Sequence, residues 1–385
     1  MSKSFFRRVT KNFFILTNWL VAVFFLVGCY SEIFFSATWW PVGLLTLALP
    51  YLLLVLFLFF AFWIFIKPRY TLIFIAVAAL SFNHIRNIVP FRFSSGFNIE
   101  KQATDMRIMS WNVAQFDIMN YKEKSGTYNE MIALINKYQP DIACFQEMVG
   151  GDTLADLNTD YYRKYSFFSV FDFANKLNFP GYFYSYNYKE NFLSQQHFGI
   201  IIFSKYPIIK KQTISNPPHD YNSIFQYADI VKGTDTFRVF NCHLQSLRFS
   251  PTNLKYISNP SIKTDTDIEK SKNVFTKFKK AFLKRRVQAD RVRSEIDHSP
   301  YPVIVCGDFN DLPNSYTYET IGKNLTDAFV EKGTGIGRTF SGISPTFRID
   351  YIFVDKQFSV SEFTRIPKKL SDHFPIITDV SIFPH

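Results

Sequence analysis

Charge is missing from two long stretches near the start of this 385-residue chain: no Asp, Glu, Lys, Arg or His occurs from Phe13 to Tyr30 or from Trp39 to Ile66. An apolar run of about 18 residues can cross a bilayer, so both stretches are expected to be membrane spans. A third run starts at Tyr70 and reaches spanning length only if it continues past Phe82 through Asn83 and His84 toward Val89. The expected anchor is therefore residues 1–89, with spans at about 13–30, 41–66 and 70–88. The first run also lacks a small-x-small cleavage signature, which argues against a removable leader despite the basic Lys3, Arg7, Arg8 and Lys11.

Cysteine is scarce as well. Cys29 lies in an apolar run, and Cys144, Cys242 and Cys306 lie in strand-like segments, so the four make no disulfide framework and read as small core residues. There is no internal repeat and no low-complexity tract. The net charge of +11 invites a nucleic-acid reading, but residues 1–104 carry +7 of it and the remainder only +4. Most of the excess is topology signal rather than a phosphate-binding face. Basic residues flank the runs at 3–11 and at Lys67 and Arg69, while residues 31–38 have none. That asymmetry places the N-terminus in the cytoplasm, and a third crossing would deliver the rest of the chain to the non-cytoplasmic side.

Residues 90–104, polar with Ser94, Ser95 and Gly96, read as a linker. From Met106 the pattern changes to short runs rich in Ile, Val and Phe, and strands are expected at about 106–113, 141–146, 199–203, 225–231, 236–243, 302–307, 348–354 and 375–382. Helical character appears at 128–138, which stops at Gln139-Pro140, and at 268–297. Many strands and few helices over residues 105–385 predict a β-sandwich with helices covering its faces. The 268–297 helix is strongly basic; a lipid or phosphate surface is one reading, and a solvated outer face over buried Val274, Phe278, Phe282 and Val292 is the preferred one. The Tyr- and Phe-rich stretch at 161–198 reads as the filling of an insertion rather than a base- or lipid-stacking surface.

Five segments place ligand-capable side chains at strand ends. Ser110-Trp111-Asn112-Val113 follows Arg107-Ile108-Met109, Gln146-Glu147 closes the run from Asp141, and His243 closes the run from Phe237. Gly307-Asp308-Phe309-Asn310 closes Val303–Cys306, and Ser371-Asp372-His373 opens the last strand. Functional groups gather where loops leave a rigid scaffold, and a buried carboxylate is costly unless it meets a cation. One such residue alone is usually a cap or a turn. The recurrence carries the signal; His197, His219, His298, Asp229 and Asp327 lack such support and are left unassigned.

These segments, with Arg348-Ile349-Asp350-Tyr351-Ile352 and Phe198–Pro207, resemble the endonuclease/exonuclease/phosphatase superfamily, which includes neutral sphingomyelinases, abasic-site endonucleases and inositol-polyphosphate phosphatases. The likeness runs from about Met106 to Ile382, in the family's order, and leaves the anchor outside it. It implies a four-layer α/β sandwich of two packed mixed sheets flanked by helices. It also implies hydrolysis of a phosphodiester assisted by Mg²⁺ (or Mn²⁺), a hard cation that keeps several waters and takes one or two carboxylates.

On that resemblance Glu147 is the principal metal ligand with Asn112 beside it, and Asp372 completes the metal site. Asp308 orients and deprotonates the attacking water, Asn310 holds a phosphate oxygen, and His373, oriented by Asp350, sits against the phosphoryl group. His243 matches the histidine of nuclease and sphingomyelinase members and points away from abasic-site endonucleases. The implied partners are the lipid bilayer and a phosphodiester substrate, either lipid or nucleic acid; no protein partner is inferable. The alternative is a catalytically silent, membrane-tethered binding domain, which would show erosion at one of these motifs.

Overall fold

The computed structural model describes residues 3–35, 38–92, 96–117, 126–151, 169–192, 196–215, 224–261 and 263–382. His219 and much of the aromatic stretch at 161–198 lie outside the described residues.

Two six-stranded sheets form the second part of the chain. The first has the order β11-β12-β1-β2-β4-β3, made of Met106–Asn112 (β1), Ile142–Gly150 (β2), Gly181–Phe192 (β3), Gln196–Ser204 (β4), Phe358–Arg365 (β11) and Ile376–Ile382 (β12). The second has the order β5-β6-β7-β8-β10-β9, made of Ile208–Ser215 (β5), Ile224–Lys232 (β6), Asp235–His243 (β7), Val303–Asp308 (β8), Thr326–Asp327 (β9) and Asp350–Val354 (β10). Each sheet contains one parallel pair, β1 with β2 and β7 with β8, and antiparallel neighbours elsewhere.

Alternation along the strands explains the layering. Met106, Ile108, Ile142, Cys144 and Ile202 of the first sheet face Ala228, Ile230, Val239, Ile304 and Cys306 of the second, making a dry core between the sheets. The opposite faces meet helices. Met109, Phe145 and Phe203 pack with Met131, Leu134 and Ile135 of the helix Thr127–Tyr138. Phe240, Val305 and Phe353 pack with Ala289, Val292 and Ile296 of the helix Asp265–Asp297 and with Tyr318 and Ile321 of Tyr316–Gly322. Helix, sheet, sheet and helix give the expected four layers. All four cysteines are free and buried.

The eight strands expected from the sequence are the interior ones. The four it did not reveal, β3, β5, β9 and β11, are the two edges of each sheet. An edge strand has a partner on one side only and shows polar residues to water, so Ile208–Ser215 and Phe358–Arg365 lack the continuous apolar run of a buried strand. The basic helix also differs from a wholly solvated outer face: Arg285 is buried, and its Nε donates to Asp311 at 3.1 Å.

In the first part of the chain, the helices Lys3–Cys29 and Gly43–Ile66 run antiparallel, with Phe14 stacked on Phe62 at one end and the Gly28 backbone against Leu45 and Leu49 near the other. Among the described residues, two helices are each long and apolar enough to cross a membrane. The expected third span is made of two helices, Thr71–Leu80 and Phe82–Ile88, which are long and apolar enough only when taken together and are bent by 79° at Ser81. The Ser81 hydroxyl donates back to the Val77 carbonyl at 2.6 Å, and the polar residues after the bend dock on the sandwich. Asn87 Nδ2 and His84 Nδ1 donate to Asn314 Oδ1, Asn314 Nδ2 donates to the His84 carbonyl, and Arg348 Nη2 donates to the Asn87 carbonyl. The expected linker is likewise held: Gly335 N donates to the Pro90 carbonyl, and Arg107 donates to the carbonyls of Asn98 and Ile99.

Candidate active site

Sheet topology brings the five segments to one end of the sandwich. Parallel β1 and β2 end side by side, Asn112 opposite Gln146, and parallel β7 and β8 end with His243 opposite Asp308. Antiparallel β10 begins where β8 ends, Asp350 opposite Asp308, and antiparallel β12 begins where β1 ends, Ser110 opposite Ile376. Beneath them a buried amide pair ties the sheets: Gln146 Nε2 donates to Asn241 Oδ1 at 2.7 Å, and Asn241 Nδ2 donates to the carbonyls of Phe145 and Ile201.

Asp308 is the centre. Its Oδ2 lies 3.6 Å from Nε2 of His243 and 3.6 Å from Nε2 of His373, and accepts from Asn112 Nδ2 at 3.1 Å. Its Oδ1 accepts from the Asn310 backbone N–H at 2.9 Å, closing an Asx turn over Phe309 in which Asn310 adopts a φ of 53°. The buried Phe309 ring between Tyr351 and Phe353 fixes that turn from below. Asn310 Nδ2 donates to the Leu244 carbonyl, which uses one of its two amide hydrogens and leaves the other for a ligand.

Asp350 holds His373, with Nδ1 2.9 Å from Oδ2, so the ring's Nε2 points at Asp308. The His373 carbonyl accepts from Trp111 Nε1, its backbone N–H donates to Ser371 Oγ, and Phe340 packs on its ring at 5.0 Å between centroids. The Thr339 hydroxyl accepts from the backbone N–H groups of Ile349 and Asp350.

Glu147 sits on a bulge where the β2–β4 register shifts, with a φ of 53°. A bulge re-aims a side chain, here into the cleft. Its Oε1 accepts from Asn112 Nδ2 at 3.2 Å and lies 3.8 Å from His243 Nε2, and its Oε2 accepts from Gln115 Nε2 at 3.0 Å. Asp372 is exposed at the mouth of the cleft that Glu147, Asp308, Asn310 and His373 line. The structure thus brings all eight sequence-derived residues into one site. Gln115, Trp111, Thr339 and Phe340 are additions. Trp111 lay within a motif already singled out, whereas Gln115 reaches Glu147 through a left-handed turn at 114–117 that no sequence pattern marks.

Electrostatics divides the groups. Burial pushes the Asp308 carboxyl up to about 6; His373 opposes that rise and Asp350 adds to it. Burial works against the imidazolium of His373, but Asp350 and Asp308 outweigh it and push the ring up to about 10. Burial also raises the Glu147 carboxyl, against the hydrogen bond from Asn112.

A divalent cation fits this donor set. The ligand atoms of Asp308, Asp350 and His373 lie within 4.8 Å of one another, but a protonated His373 already engaged by Asp350 is no metal ligand. Glu147 and Asp308, two carboxylates raised by burial and joined through Asn112, offer hard oxygens whose charge a cation would offset. Asn112 turns its amide nitrogen to both carboxylates while its Oδ1 accepts from Ala114 N, so it aligns them in this arrangement.

Two mixed sheets between helices, with acidic and imidazole groups converging at one end, define a four-layer α/β sandwich. Residues 109–373 match the model of the endonuclease/exonuclease/phosphatase family, and the chain belongs to that family. Residues 11–88 match a domain of unknown function. Among solved structures, the chain is similar to an endonuclease/exonuclease/phosphatase from Beutenbergia cavernae, at 16% identity and a TM-score of 0.48 over 72% of each chain. It is similar to a humanized D. rerio TDP2, at 16% identity and 0.49 over 72% of this chain and 100% of that one. It is similar to the human Nocturnin catalytic domain with bound sulfate, at 17% identity and 0.48 over 74% of this chain and 96% of that one. No curated protein matches the chain.

Proposed function

We propose that this chain is a membrane-anchored phosphoesterase that hydrolyses a phosphodiester with the aid of a divalent cation, Mg²⁺ or Mn²⁺. The observation that carries the reading is the single carboxylate, Asp308, set between two imidazoles with Glu147 at its edge. Asp308, raised by burial toward neutrality, is suited to take a proton from water. Water's oxygen bonds to phosphorus, one ester P–O bond breaks, and the leaving alkoxide takes a proton. His373, held cationic by Asp350, and the free amide hydrogen of Asn310 stabilise charge on the phosphoryl oxygens. His243 stands between Glu147 and Asp308, where it can serve the leaving group. Glu147, supported by Asn112 and with Asp372 at the mouth, would hold the cation, which polarises the phosphoryl group when bound.

The anchor reading rests on the two long apolar helices, whose basic end (Arg7, Lys11, Lys67, Arg69) lies opposite the end that carries the sandwich. By the positive-inside rule the sandwich is non-cytoplasmic. The test uses the full chain in nanodiscs with bis-p-nitrophenyl phosphate and Mg²⁺. Turnover should depend on the metal and fall about a hundredfold or more in Asp308→Ala and His373→Ala. Metal-independent turnover, or turnover unchanged by both substitutions, would overturn the proposal and favour a silent binding domain.

A further inference from the structure

The catalytic cleft is not made by the sandwich alone. It has a volume of about 310 Å³, and its lining includes Leu47, a residue of the helix Gly43–Ile66, beside Glu147, Asp308 and His373. Nearby, the Tyr51 hydroxyl shares a 2.9 Å hydrogen bond with Ser344 Oγ, Phe35 packs on Phe282 and Tyr316, and Ser31 Oγ donates to the Asn314 carbonyl. The anchor is thereby fastened along the rim of the site.

The lining combines two kinds of surface. Glu147, Asp308, Asn310, Asp372 and His373 are its polar catalytic groups, and Leu47, Phe249, Phe278, Phe282, Ile343 and Phe347 are apolar, with Phe249, Phe278 and Phe282 packed in a row. Depth matters as much as polarity. Leu47 lies in the helix Gly43–Ile66 and Lys67 caps its end twenty residues on, which at about 1.5 Å per residue is about 30 Å, the thickness of a hydrocarbon core. With Lys67 at one membrane face, Leu47 lies at the other, where lipid phosphates meet their chains.

The geometry points to a membrane phospholipid or sphingolipid as the substrate, entering from the bilayer that holds the anchor, its phosphodiester at Asp308 and one acyl chain along the wall from Leu47 to Phe347. This rests on the phosphoesterase reading above and adds the substrate class. Nucleic acid fits less well. Besides the catalytic His373, Arg248 and Arg285 are the basic side chains in the lining, and Arg285 is spent on Asp311 and the Gln245 carbonyl, whereas a polyanion needs several cations along its track.

The test uses the full chain with Mg²⁺ in vesicles of equal parts phosphatidylcholine, phosphatidylethanolamine, phosphatidylglycerol and sphingomyelin. Phosphorus NMR follows conversion to monoester, and bis-p-nitrophenyl phosphate and plasmid DNA are run in parallel. Ile343→Asp and Phe278→Glu, partly exposed positions outside the catalytic groups, should cut lipid turnover about tenfold or more, and about fivefold or more beyond any loss of bis-p-nitrophenyl phosphate turnover. Hydrolysis of the soluble ester or of DNA with no change in lipid phosphorus overturns the inference, as does an equal effect of the variants on both substrates. A second readout does not need turnover: a phospholipid with a diazirine at its chain end should label peptides containing Phe278 or Phe347. Label confined to residues 43–66 overturns the inference too. No turnover of any ester, with those peptides labelled, refutes the hydrolase reading and leaves the lipid groove supported.

Discussion

Gly307 offers the sharpest test of how the strands set the chemistry. It lies between Cys306 and Asp308 with a φ of 147°, and a Cβ built there would stand 2.0 Å from the Cys242 carbonyl oxygen and 2.8 Å from its carbon. Real contacts of that kind stay above 3.0 Å, so Gly307→Ala must open the β7–β8 pair by about 1 Å. Backbone strain of about 1–3 kcal/mol adds to an overpacking cost of similar size, giving a loss of about 2–6 kcal/mol. The same shift separates the facing residues His243 and Asp308, whose side chains are 3.6 Å apart. A misplacement of about 1 Å in a catalytic constellation costs about a hundredfold. Gly199→Ala is the control. Its Cβ would meet the Ser185 carbonyl oxygen at 2.1 Å, but that clash pushes the edge strand β3 outward and away from β2. Both variants should lower the apparent Tm of the full chain in detergent, and Gly307→Ala alone should lose turnover per folded molecule. Equal loss in both, or Gly307→Ala within about threefold of the parent, would falsify the claim that this close strand contact positions Asp308.

Asp350→Asn removes the carboxylate that orients His373 and should lower kcat on bis-p-nitrophenyl phosphate about a hundredfold with little change in KM; a change in KM alone would count against an orienting role. Glu319 lies under the anchor near Glu32 and Asn87, and burial, with Glu32 adding to it, pushes its carboxyl up to about 7 from 4.5. Folding therefore takes up a proton in that window, and stability present below it is lost as pH rises through it, by at most about 3 kcal/mol. Glu319→Gln should raise the apparent Tm at pH 8 and leave it unchanged at pH 4.5, and an equal shift at both would refute the sign. Asn314→Ala removes the bonds that the Asn314 side chain makes with the Asn87 amide, the His84 ring and the His84 carbonyl, at about 2–4 kcal/mol for the docking; limited trypsinolysis should then cut at Arg86 or Arg92 well before the sandwich, and an unchanged cleavage order would show that the clasp is dispensable.

The site was legible because a strand end fixes both position and direction. Once β8 is recognised from Val303–Cys306, Asp308 must leave the sheet at the same end as His243 on the parallel β7, and the neighbouring motifs follow from their own strands. The edges were not legible, because a strand such as Ile208–Ser215 owes its conformation to the single neighbour it pairs with and carries little apolar pattern of its own. The bend at Ser81 was hidden for a related reason. Hydropathy reports how apolar residues 70–88 are, but His84 and Asn87 are polar for the sake of a surface more than two hundred residues further along the chain. The apolar lining of the cleft was invisible from the motifs altogether, since Leu47, Phe282 and Phe347 come to one cleft only once the helix Gly43–Ile66 docks on the sandwich.

That docking separates two kinds of tether. A leash raises the local concentration of an enzyme near lipid and leaves its orientation free, and it requires a connection that does not bind either body. Here the chain on both sides of the connection is held: Pro90 by Gly335, Arg92 by Thr334, Asn98 by Glu362 and by the buried Arg107. Arg348 adds a charged bond that reaches Asn87 and Asp327 at once, and Tyr51 fixes the helix Gly43–Ile66 to Ser344. With these contacts in place the cleft keeps one orientation relative to the N-terminal helices. In the anchored reading the tether itself then selects the substrate, because a phosphodiester reaches Asp308 only if it sits at the level of Leu47.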